Sequence, residues 1–293
     1  MATIAKTVVA TGASSGLGFE AVKQLLGQAQ PYRFILGARD VGKTKTAYED
    51  LKFDAKHSLT VLPLDLSNLR HTKTFAEETL EKLGSDKIDY LLLNAGISNP
   101  ADAPGPNGSK WCESYIVNHL SQHYIIHLLR KKLEDSASRI VVVSSGAIRH
   151  VTDPTVLDAE LKAGSGADGM KTYPNSKFVQ LLGAHWWRRQ VAGKCTVVAV
   201  SPGLVPETGI GRGSGMKLTN QMPDAKTVPE GAASILRAFT RDDFPEDPDQ
   251  IFLTSWGEWW DKSTIGLTLD KALQDKWSPS KEEIEKSEGI EDN

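Results

Sequence analysis

Short runs of apolar, largely β-branched residues alternate with longer amphipathic stretches along most of the chain. The runs are TVVATG, RFILGAR, LTVLPLDL, IDYLLLNAG, RIVVVSSGA, CTVVAVSPG and QIFLTS. Between them apolar residues recur at helical spacing, as at Ala21, Val22, Leu25 and Leu26. Apolar strands that alternate with helices are typical of a parallel sheet covered on both faces. The pattern predicts one α/β domain, a doubly wound parallel sheet of seven strands.

The same pattern sets the expected boundaries of the helices and of the domain. Helices are predicted at about residues 43–52, through Phe75, and at about 110–133. The sheet domain is placed over residues 1–255, and a C-terminal helical extension over residues 256–293. The extension ends in KEEIEKSEGIEDN, which is expected to be frayed or disordered because it is acidic and terminal.

Two segments interrupt the alternation of strands and helices. Residues 146–172 are rich in Gly, Asp and Ala, and residues 204–225 are rich in Gly. Ligands of doubly wound sheets bind beyond the carboxyl ends of the strands, where long loops form walls and lids. We expect the first segment to add a wall or flap and the second to be mobile. Surface insertions without a function are the alternative.

Composition and charge narrow the class of protein. The chain has 293 residues, of which 40% are hydrophobic and 24% charged, as in an ordinary globular protein. A net charge of −3 gives no electrostatic reason to bind nucleic acid or an anionic membrane. Cys112 and Cys195 provide neither a disulfide framework nor a metal-binding spacing. Without a recognisable leader or membrane span, the sequence predicts a soluble, cytoplasmic protein with no metal.

The segment TVVATGASSGLGFEAVKQLL predicts a strand, a glycine loop and a helix. Gly12, Gly16 and Gly18 would let the backbone turn tightly and approach a ligand. The N-terminus of the following helix would present N–H groups to a pyrophosphate. A glycine-rich turn alone is weak evidence, but its place after the first strand favours a dinucleotide site.

Polar residues at the ends of the next strands suggest which dinucleotide binds. The second strand ends in GARD, where Arg39 would pair with the 2′-phosphate of NADP and Asp40 with the ribose of NAD. Because Arg39 comes first, we favour NADP; a solvated surface charge is the alternative. Asp65 could accept from the adenine amino group or cap a helix. Asn94 could contact the cofactor or tie neighbouring strands together.

The spacing of Tyr173 and Lys177 in KTYPNSK occurs twice in the chain. Tyr48 and Lys52 in YEDLK repeat it, so the spacing alone cannot identify a catalytic pair. Tyr173 follows the strand that ends in SSGA and precedes an apolar helix, whereas Tyr48 lies in a polar helix. Pro174 is compatible with a helix only in the first turn, which predicts a helix that begins close to Tyr173.

The motifs TGASSGLG, NAG, VNHL, VVVSSGA, YPNSK and SPG follow one another over about residues 5–255. In this set and order the chain resembles the short-chain dehydrogenase/reductase family. VVATGASSGLG, GARD and DGMKTYPNSK resemble the branch of protochlorophyllide reductases and retinol-dehydrogenase-like proteins. The resemblance implies a Rossmann-type fold, NADP and a homodimer or homotetramer. It also implies hydride transfer between NADPH and a carbonyl or alcohol of a hydrophobic small molecule.

The resemblance implies four catalytic residues. Tyr173 would be the general acid/base, and Lys177 would lower the pKa of the phenol and hold the nicotinamide ribose. Ser145 would donate to the substrate oxygen, and strand alternation should send Ser144 to the opposite face. Asn118 would hold a water linking Lys177 to solvent, or would cap a local kink in its helix.

The resemblance also implies a set of cofactor contacts. They are Gly12, Ser14, Ser15, Gly16, Leu17, Gly18, Arg39, Asp65, Leu66, Asn94, Ala95, Gly96, Tyr173, Lys177, Pro202, Gly203, Val205 and Thr208. The chain departs from the family pattern at Glu207, where a threonine is usual, so contact by Thr208 is open. Leu204 stands where protochlorophyllide reductases carry a cysteine, which argues against light-driven reduction.

Two alternatives to this oxidoreductase remain open. The same scaffold could catalyse isomerisation, cyclisation or alkene reduction, because the catalytic residues can act as a proton relay. The second alternative is an NADP-sensing protein without catalytic activity, although such relatives often lose the Tyr–Lys pair. The tryptophans are expected to pack a core or an interface rather than line a ligand pocket. They are Trp186, Trp187, Trp256, Trp259, Trp260 and Trp277.

Overall fold

The seven apolar runs form strands in the computed structural model, which describes residues 4–212 and 219–290. The strands are β1 (Lys6–Thr11), β2 (Tyr32–Ala38), β3 (Ser58–Pro63), β4 (Tyr90–Leu93), β5 (Arg139–Val143), β6 (Thr196–Val200) and β7 (Phe252–Leu253). Within the described residues they form one parallel sheet in the order β3-β2-β1-β4-β5-β6-β7. The predicted doubly wound sheet of seven strands is confirmed.

Helices connect and cover the strands. They are α1 (Gly16–Leu26), α2 (Val41–Glu49), α3 (Leu69–Leu83), α4 (Glu113–Tyr115), α5 (Ser121–Ser136), α6 (Leu157–Glu160), α7 (Gly169–Gln190), α8 (Val228–Thr240), α9 (Lys262–Ile265), α10 (Lys271–Lys276) and α11 (Lys281–Ser287). In the ranges described, none of them combines the length and apolar character that a membrane crossing requires.

Adjacent residues of each strand pack on opposite faces of the sheet. In β1, Val8 belongs to a buried cluster with Val22 of α1, whereas Val9 belongs to a second cluster with Phe75 of α3. All four side chains are fully buried. Burial on both faces explains why the strands read as continuous apolar runs rather than as alternating ones.

Two predicted helix boundaries were inaccurate. The helix predicted at 43–52 is α2, which begins earlier because the Asp40 side chain caps it, accepting from a first-turn N–H at 2.9 Å. Lys52 lies beyond α2, with a φ of 50°. The helix predicted at 110–133 is interrupted between α4 and α5 by a π-helical turn, Ile116–Leu120. Such turns are frequent at functional sites.

The prediction that a helix begins close to Tyr173 was wrong. Helix α7 begins at Gly169, and Asp168 caps it by accepting from the backbone N–H of Lys171 at 3.1 Å. Pro174 is therefore the sixth helical residue and not part of the first turn. Its missing N–H would have bonded the carbonyl of Met170, four residues earlier.

The two ends of segment 146–172, at Arg149, His150 and Met170, line the cavity at the carboxyl ends of the strands, as expected of a wall, whereas its middle is buried. It contains two 3₁₀ turns, Gly146–His150 and Pro154–Val156, followed by α6. Leu157 and Leu161 are fully buried in the main core, so the middle of the segment is structural rather than a surface insertion or a flap. The mobility expected of residues 204–225 concerns in part residues 213–218, which lie outside the described residues.

The C-terminal extension packs against the sheet domain. Trp277 and Ile284 are buried in the same cluster as residues of α5 and α7, and Ile290 is 5% exposed. Helix α11 begins with a capping box between Ser280 and Glu283. The expectation of a frayed tail was therefore wrong for residues 281–290, because an apolar face buried on the core holds this helix. Residues 291–293 lie outside the described part.

Candidate active site

A cavity of about 770 Å³ lies beyond the carboxyl ends of the strands, at the edge that the sequence predicted. The strand register explains why loops meet there. Thr11 pairs with Leu93 and Val143 pairs with Val200, so the residues that follow these pairs are neighbours in space. This volume lies in the ordinary range of small-molecule and cofactor sites.

Most of the predicted site residues line this cavity. They are Gly12, Ser14, Ser15, Gly16, Leu17, Arg39, Asp65, Leu66, Asn94, Ala95, Gly96, Ser145, Tyr173, Lys177, Pro202, Gly203, Val205 and Thr208. Two predicted residues, Gly18 and Asn118, lie behind the wall of the cavity and do not line it.

The three glycines of the loop have different roles. A Cβ on Gly12 would lie 2.6 Å from the Ala95 Cα, and one on Gly18 would lie 2.3 Å from the Gly12 carbonyl oxygen. These two positions require glycine for close packing. Gly16 has a φ of 55°, and a Cβ there would make only ordinary contacts with the Thr208 side chain, the shorter at 3.8 Å. The open side of the loop at Gly16 is therefore where a phosphate would fit.

The start of α1 leaves donors at this open side. Ser15 is the N-cap residue, but its side chain makes no capping hydrogen bond. The first N–H groups of a helix have no partner within the helix and carry partial positive charge. An anion such as a pyrophosphate would supply the missing acceptors.

Buried polar residues hold the loop in place. The Tyr48 hydroxyl donates to the Ala13 carbonyl at 2.6 Å, and its side chain is fully buried. Tyr48 is thus a structural support of the loop. Asn94 Nδ2 donates to the Gly12 carbonyl at 2.8 Å, which matches the alternative role of tying neighbouring segments together. Thr11, which sequence reasoning missed, accepts from the N–H groups of Asn94 and Ala95 through Oγ1 at 3.1 and 3.2 Å.

The ends of β2 and β3 separate the competing polar residues. Arg39 is exposed and lines the cavity, whereas the Asp40 carboxylate is engaged at the start of α2. Asp65 lines the cavity and accepts from the N–H and hydroxyl of Ser67 at 3.0 and 2.8 Å. The alternative that Asp65 caps α3 was wrong, because Asn68 is the N-cap residue.

The hydroxyls of Ser145 and Tyr173 meet in the cavity. Ser145 follows β5, and its hydroxyl lies close enough to the Tyr173 phenol to lower the pKa of that phenol. Its Oγ also accepts from the Ala147 N–H at 3.1 Å. Ser144 is buried and donates to the Lys177 carbonyl at 3.3 Å, so the two serines take different partners, although both line the cavity.

The predicted effect of Lys177 on Tyr173 is not what the structure shows. Burial raises the pKa of the Tyr173 phenol, and the nearby Ser145 hydroxyl opposes that rise. Lys177 Nζ donates instead to the Val143 carbonyl at 2.8 Å and to Gln180 Oε1 at 3.1 Å. Burial also lowers the pKa of Lys177 to about 7. The correction has a physical reason: removal of water from both groups disfavours both charged forms.

Asn118 lies within the π-helical turn and is fully buried. Its Oδ1 accepts from the Ile97 N–H at 2.8 Å. Its Nδ2 donates to the Ile97 carbonyl at 2.9 Å and to Ser176 Oγ at 2.8 Å. These contacts match the alternative of a polar residue at a local helix distortion. They join the end of β4 to α7, and the water-holding role stays a prediction.

The remaining wall of the cavity is mostly apolar and comes largely from the predicted wall segments 146–172 and 204–225, whereas sequence reasoning missed Ile97, Glu113 and Val117. Its apolar members include Ile97, Val117, Met170, Leu204, Ile210 and Met222. Polar side chains come from Ser98, Glu113, Ser144, Arg149, His150, Ser201 and Asp224. Met170 lies one helical turn before Tyr173, so helical spacing could have identified it. Arg149 lies over the Trp260 ring, 5.2 Å from its centroid, at this wall.

Comparison with known proteins identifies the family of this chain. The sequence profile of the family described as short chain dehydrogenase matches residues 6–154. The chain is 60% identical over 288 residues to the short-chain dehydrogenase/reductase GME11359 of Pestalotiopsis microspora, covering 97% of this chain and 99% of that protein. It is 29% identical over 238 residues to human retinol dehydrogenase 12, covering 79% and 72% of the two chains.

A solved structure shares the fold. The NADPH-bound carbonyl reductase from chicken fatty liver superposes with a TM-score of 0.67 at 19% identity, covering 88% of this chain and 95% of that one. The resemblance found in the sequence motifs, including the retinol-dehydrogenase-like branch, is confirmed. This chain is a member of the short-chain dehydrogenase/reductase family.

Proposed function

We propose that the protein transfers hydride between NADPH and a carbonyl or alcohol group of a hydrophobic small molecule, with Tyr173 as the general acid/base. One observation carries the proposal: Ser145, Tyr173 and Lys177 line one cavity, in which Ser145 lies close enough to the Tyr173 phenol to lower the pKa of that phenol. The glycine loop borders the same cavity. A dinucleotide on the loop and a carbonyl at the hydroxyls would therefore share one space.

The residues present fit a phosphorylated dinucleotide. Gly16 leaves room beside the uncapped start of α1, and Arg39 lies at the end of β2 without competition from the Asp40 carboxylate. An arginine there matches the 2′-phosphate of NADP, because a guanidinium pairs with phosphate through two parallel hydrogen bonds. The related structure from chicken fatty liver holds NADPH. These features support NADP rather than NAD.

The hydroxyl pair can supply a proton where one is needed. Because burial raises the pKa of Tyr173, its phenol is protonated at neutral pH and can donate to a carbonyl oxygen that gains negative charge. Ser145 donates a second hydrogen bond to the same oxygen and stabilises that charge. Bound NADPH would supply the hydride. Asn118 keeps the end of β4 and α7 in register, which fixes the distance between the cofactor side and Tyr173.

The apolar part of the cavity wall favours an apolar substrate. Ile97, Val117 and Met170 line the cavity, together with Leu204 and Met222. Burial of apolar surface contributes about 25 cal/mol per Å², so a hydrophobic molecule would gain most from this wall. The charged side chains Glu113 and Arg149 interrupt it and would orient a polar group.

The proposal is tested by a panel of carbonyl compounds assayed by NADPH absorbance, with Tyr173→Phe measured alongside the wild type. The variant is expected to lose at least about a hundredfold in turnover, because general acid catalysis contributes about 10²–10⁴-fold, while its affinity for NADPH is retained. Tyr32→Phe is the matched control, since that phenol bonds Gln28 at the other end of the sheet. Equal turnover of Tyr173→Phe and wild type would refute the role of Tyr173.

A further inference from the structure

The Lys177 amine is held by two oxygen atoms, one from Val143, which lines the cavity, and one from Gln180, which does not. Nζ donates to the Val143 carbonyl at 2.8 Å and to Gln180 Oε1 at 3.1 Å. Gln180 follows Lys177 by three residues in α7, so the two side chains share a face of the helix. Gln180 is 4% exposed and does not line the cavity. It can influence chemistry there only through Lys177.

The amide nitrogen of Gln180 indicates that the contact between Gln180 and Lys177 has a function. Among the described residues, Gln180 Nε2 is buried without a hydrogen-bond partner. An unsatisfied buried donor is costly, and a methionine of similar size would fill the same space without that cost. An ammonium group has only donors, so the amide must turn its oxygen toward Nζ. The orientation of the amide is therefore explained by the needs of the lysine.

The other neighbours of Nζ offer little compensation for burial. A Cβ at Gly96, on the cavity side, would lie 3.3 Å from Nζ and 3.6 Å from Asn118 Oδ1. Tyr173 is the titratable neighbour, one turn earlier in α7. Burial alone accounts for the lowered pKa of Lys177, and no carboxylate on the described elements around it opposes the shift. The Val143 and Gln180 oxygens are thus the acceptors that support the charged form.

We propose that Gln180 is a positioning residue that holds Nζ of Lys177 at the edge of the cavity and stabilises its ammonium form. Two of the three ammonium protons point to fixed oxygen atoms, which leaves the third to face the cavity beside Tyr173 and the cofactor side. The role in turnover rests on the proposed function. The effect on Lys177 itself needs neither substrate nor cofactor.

The direct test is a pH titration of the protein labelled with ¹³C at the lysine side chains, followed by NMR, with the Lys177 signal identified by its loss in Lys177→Met. Gln180→Met is expected to lower the pKa of Lys177 by about one to two units, the shift that corresponds to losing one hydrogen bond to a charged group. Gln180→Glu places a carboxylate at the same position and is expected to raise that pKa.

Gln274→Met is the matched control. Gln274 is also a buried glutamine, but its amide bonds Thr268 and Arg189. The Lys177 signal should titrate in this variant as in the wild type. An unchanged titration in Gln180→Met, or an equal shift in Gln274→Met, would overturn the proposal. If Gln180→Met does not fold, an unchanged pKa in Gln180→Glu overturns it instead.

Turnover provides a second measurement once the carbonyl panel has identified a substrate. If the ammonium form is the active one, kcat/KM falls as pH rises through the pKa of Lys177. Gln180→Met should move this fall to lower pH by the same one to two units. At pH values above the pKa of Lys177, kcat/KM of the variant should then be about tenfold or more below that of the wild type. A normal pH profile in Gln180→Met, together with an inactive Tyr173→Phe, would refute the role of Gln180 and leave the proposed function intact.

Discussion

At the scale of single residues, Arg39 and Asp40 show how two adjacent charged side chains divide their work. Asp40 accepts a hydrogen bond at the start of α2, whereas Arg39 is exposed at the cavity. The sequence offered both as cofactor contacts. Which of them faces the cavity depends on where α2 begins, and the pattern of apolar residues placed that start too late.

Arg39→Ala is expected to weaken NADPH binding by about tenfold or more while leaving NADH binding nearly unchanged, because a charge-assisted contact to the 2′-phosphate is lost. Fluorescence titration with each cofactor measures the ratio of affinities. Asp40→Ala is the matched control: it should cost about 1 kcal/mol of stability through loss of the cap and leave the ratio unchanged. Equal weakening of both cofactors by Arg39→Ala would contradict the assignment.

At the scale of elements, α7 shows which features of a helix the sequence predicts and which it does not. Its apolar residues and the Tyr173–Lys177 spacing correctly predicted a helix that carries both side chains. Asp168, a good N-cap residue, correctly indicates where α7 begins, whereas Pro174 indicates a later start. The expectation that proline occurs only in the first turn of a helix is too strict when the hydrogen bond that proline removes lies near the start of the helix. The Lys177–Gln180 contact could not be predicted from the sequence, because the direction of the lysine side chain depends on its contact with β5.

The cap at Asp168 can be measured. Asp168→Ala removes the hydrogen bond to the Lys171 N–H and is expected to lower the free energy of unfolding by about 1 kcal/mol. Asp168→Asn keeps a side-chain oxygen at the cap and should lose much less. Urea unfolding of the two variants separates them, and equal losses would show that charge or packing, rather than the cap, explains the effect.

At the scale of the whole molecule, buried histidines of the π-helical turn and of α5 contact the C-terminal extension. The Nε2 atoms of His119 and His123 contact the carbonyls of Trp277 and Pro279 at 2.8 and 3.0 Å. Trp187 Nε1 donates to His123 Nδ1 at 2.8 Å, so neutral His123 carries its proton on Nε2 and donates it to Pro279. The sequence predicted a helical extension but not this docking, because it depends on which faces of three separate helices meet.

These histidines make stability depend on pH. Burial lowers the pKa of His119 to about 4 and of His185 to about 3, and it lowers that of His123 well below its usual value. Near pH 6.5 and below, the unfolded chain therefore binds protons that the folded chain does not. Stability should be at its full value above about pH 6.5 and should fall with acid by about 1.4 kcal/mol per pH unit for each such group, down to the folded-state pKa.

His185→Leu isolates one of these groups, because His185 Nε2 has no hydrogen-bond partner among the described residues, and loss of that nitrogen breaks no contact. The variant should be at least as stable as the wild type at pH 7. Between pH 6.5 and 4 its free energy of unfolding should fall less steeply, by the slope that one titrating group contributes, about 1.4 kcal/mol per pH unit. Urea unfolding at several pH values measures both slopes, with His71→Gln as the control because His71 is exposed. If the slopes of His185→Leu and wild type coincide, His185 takes up its proton equally well in the folded chain. Burial at the contact between α7 and its neighbours would then not be what keeps it neutral.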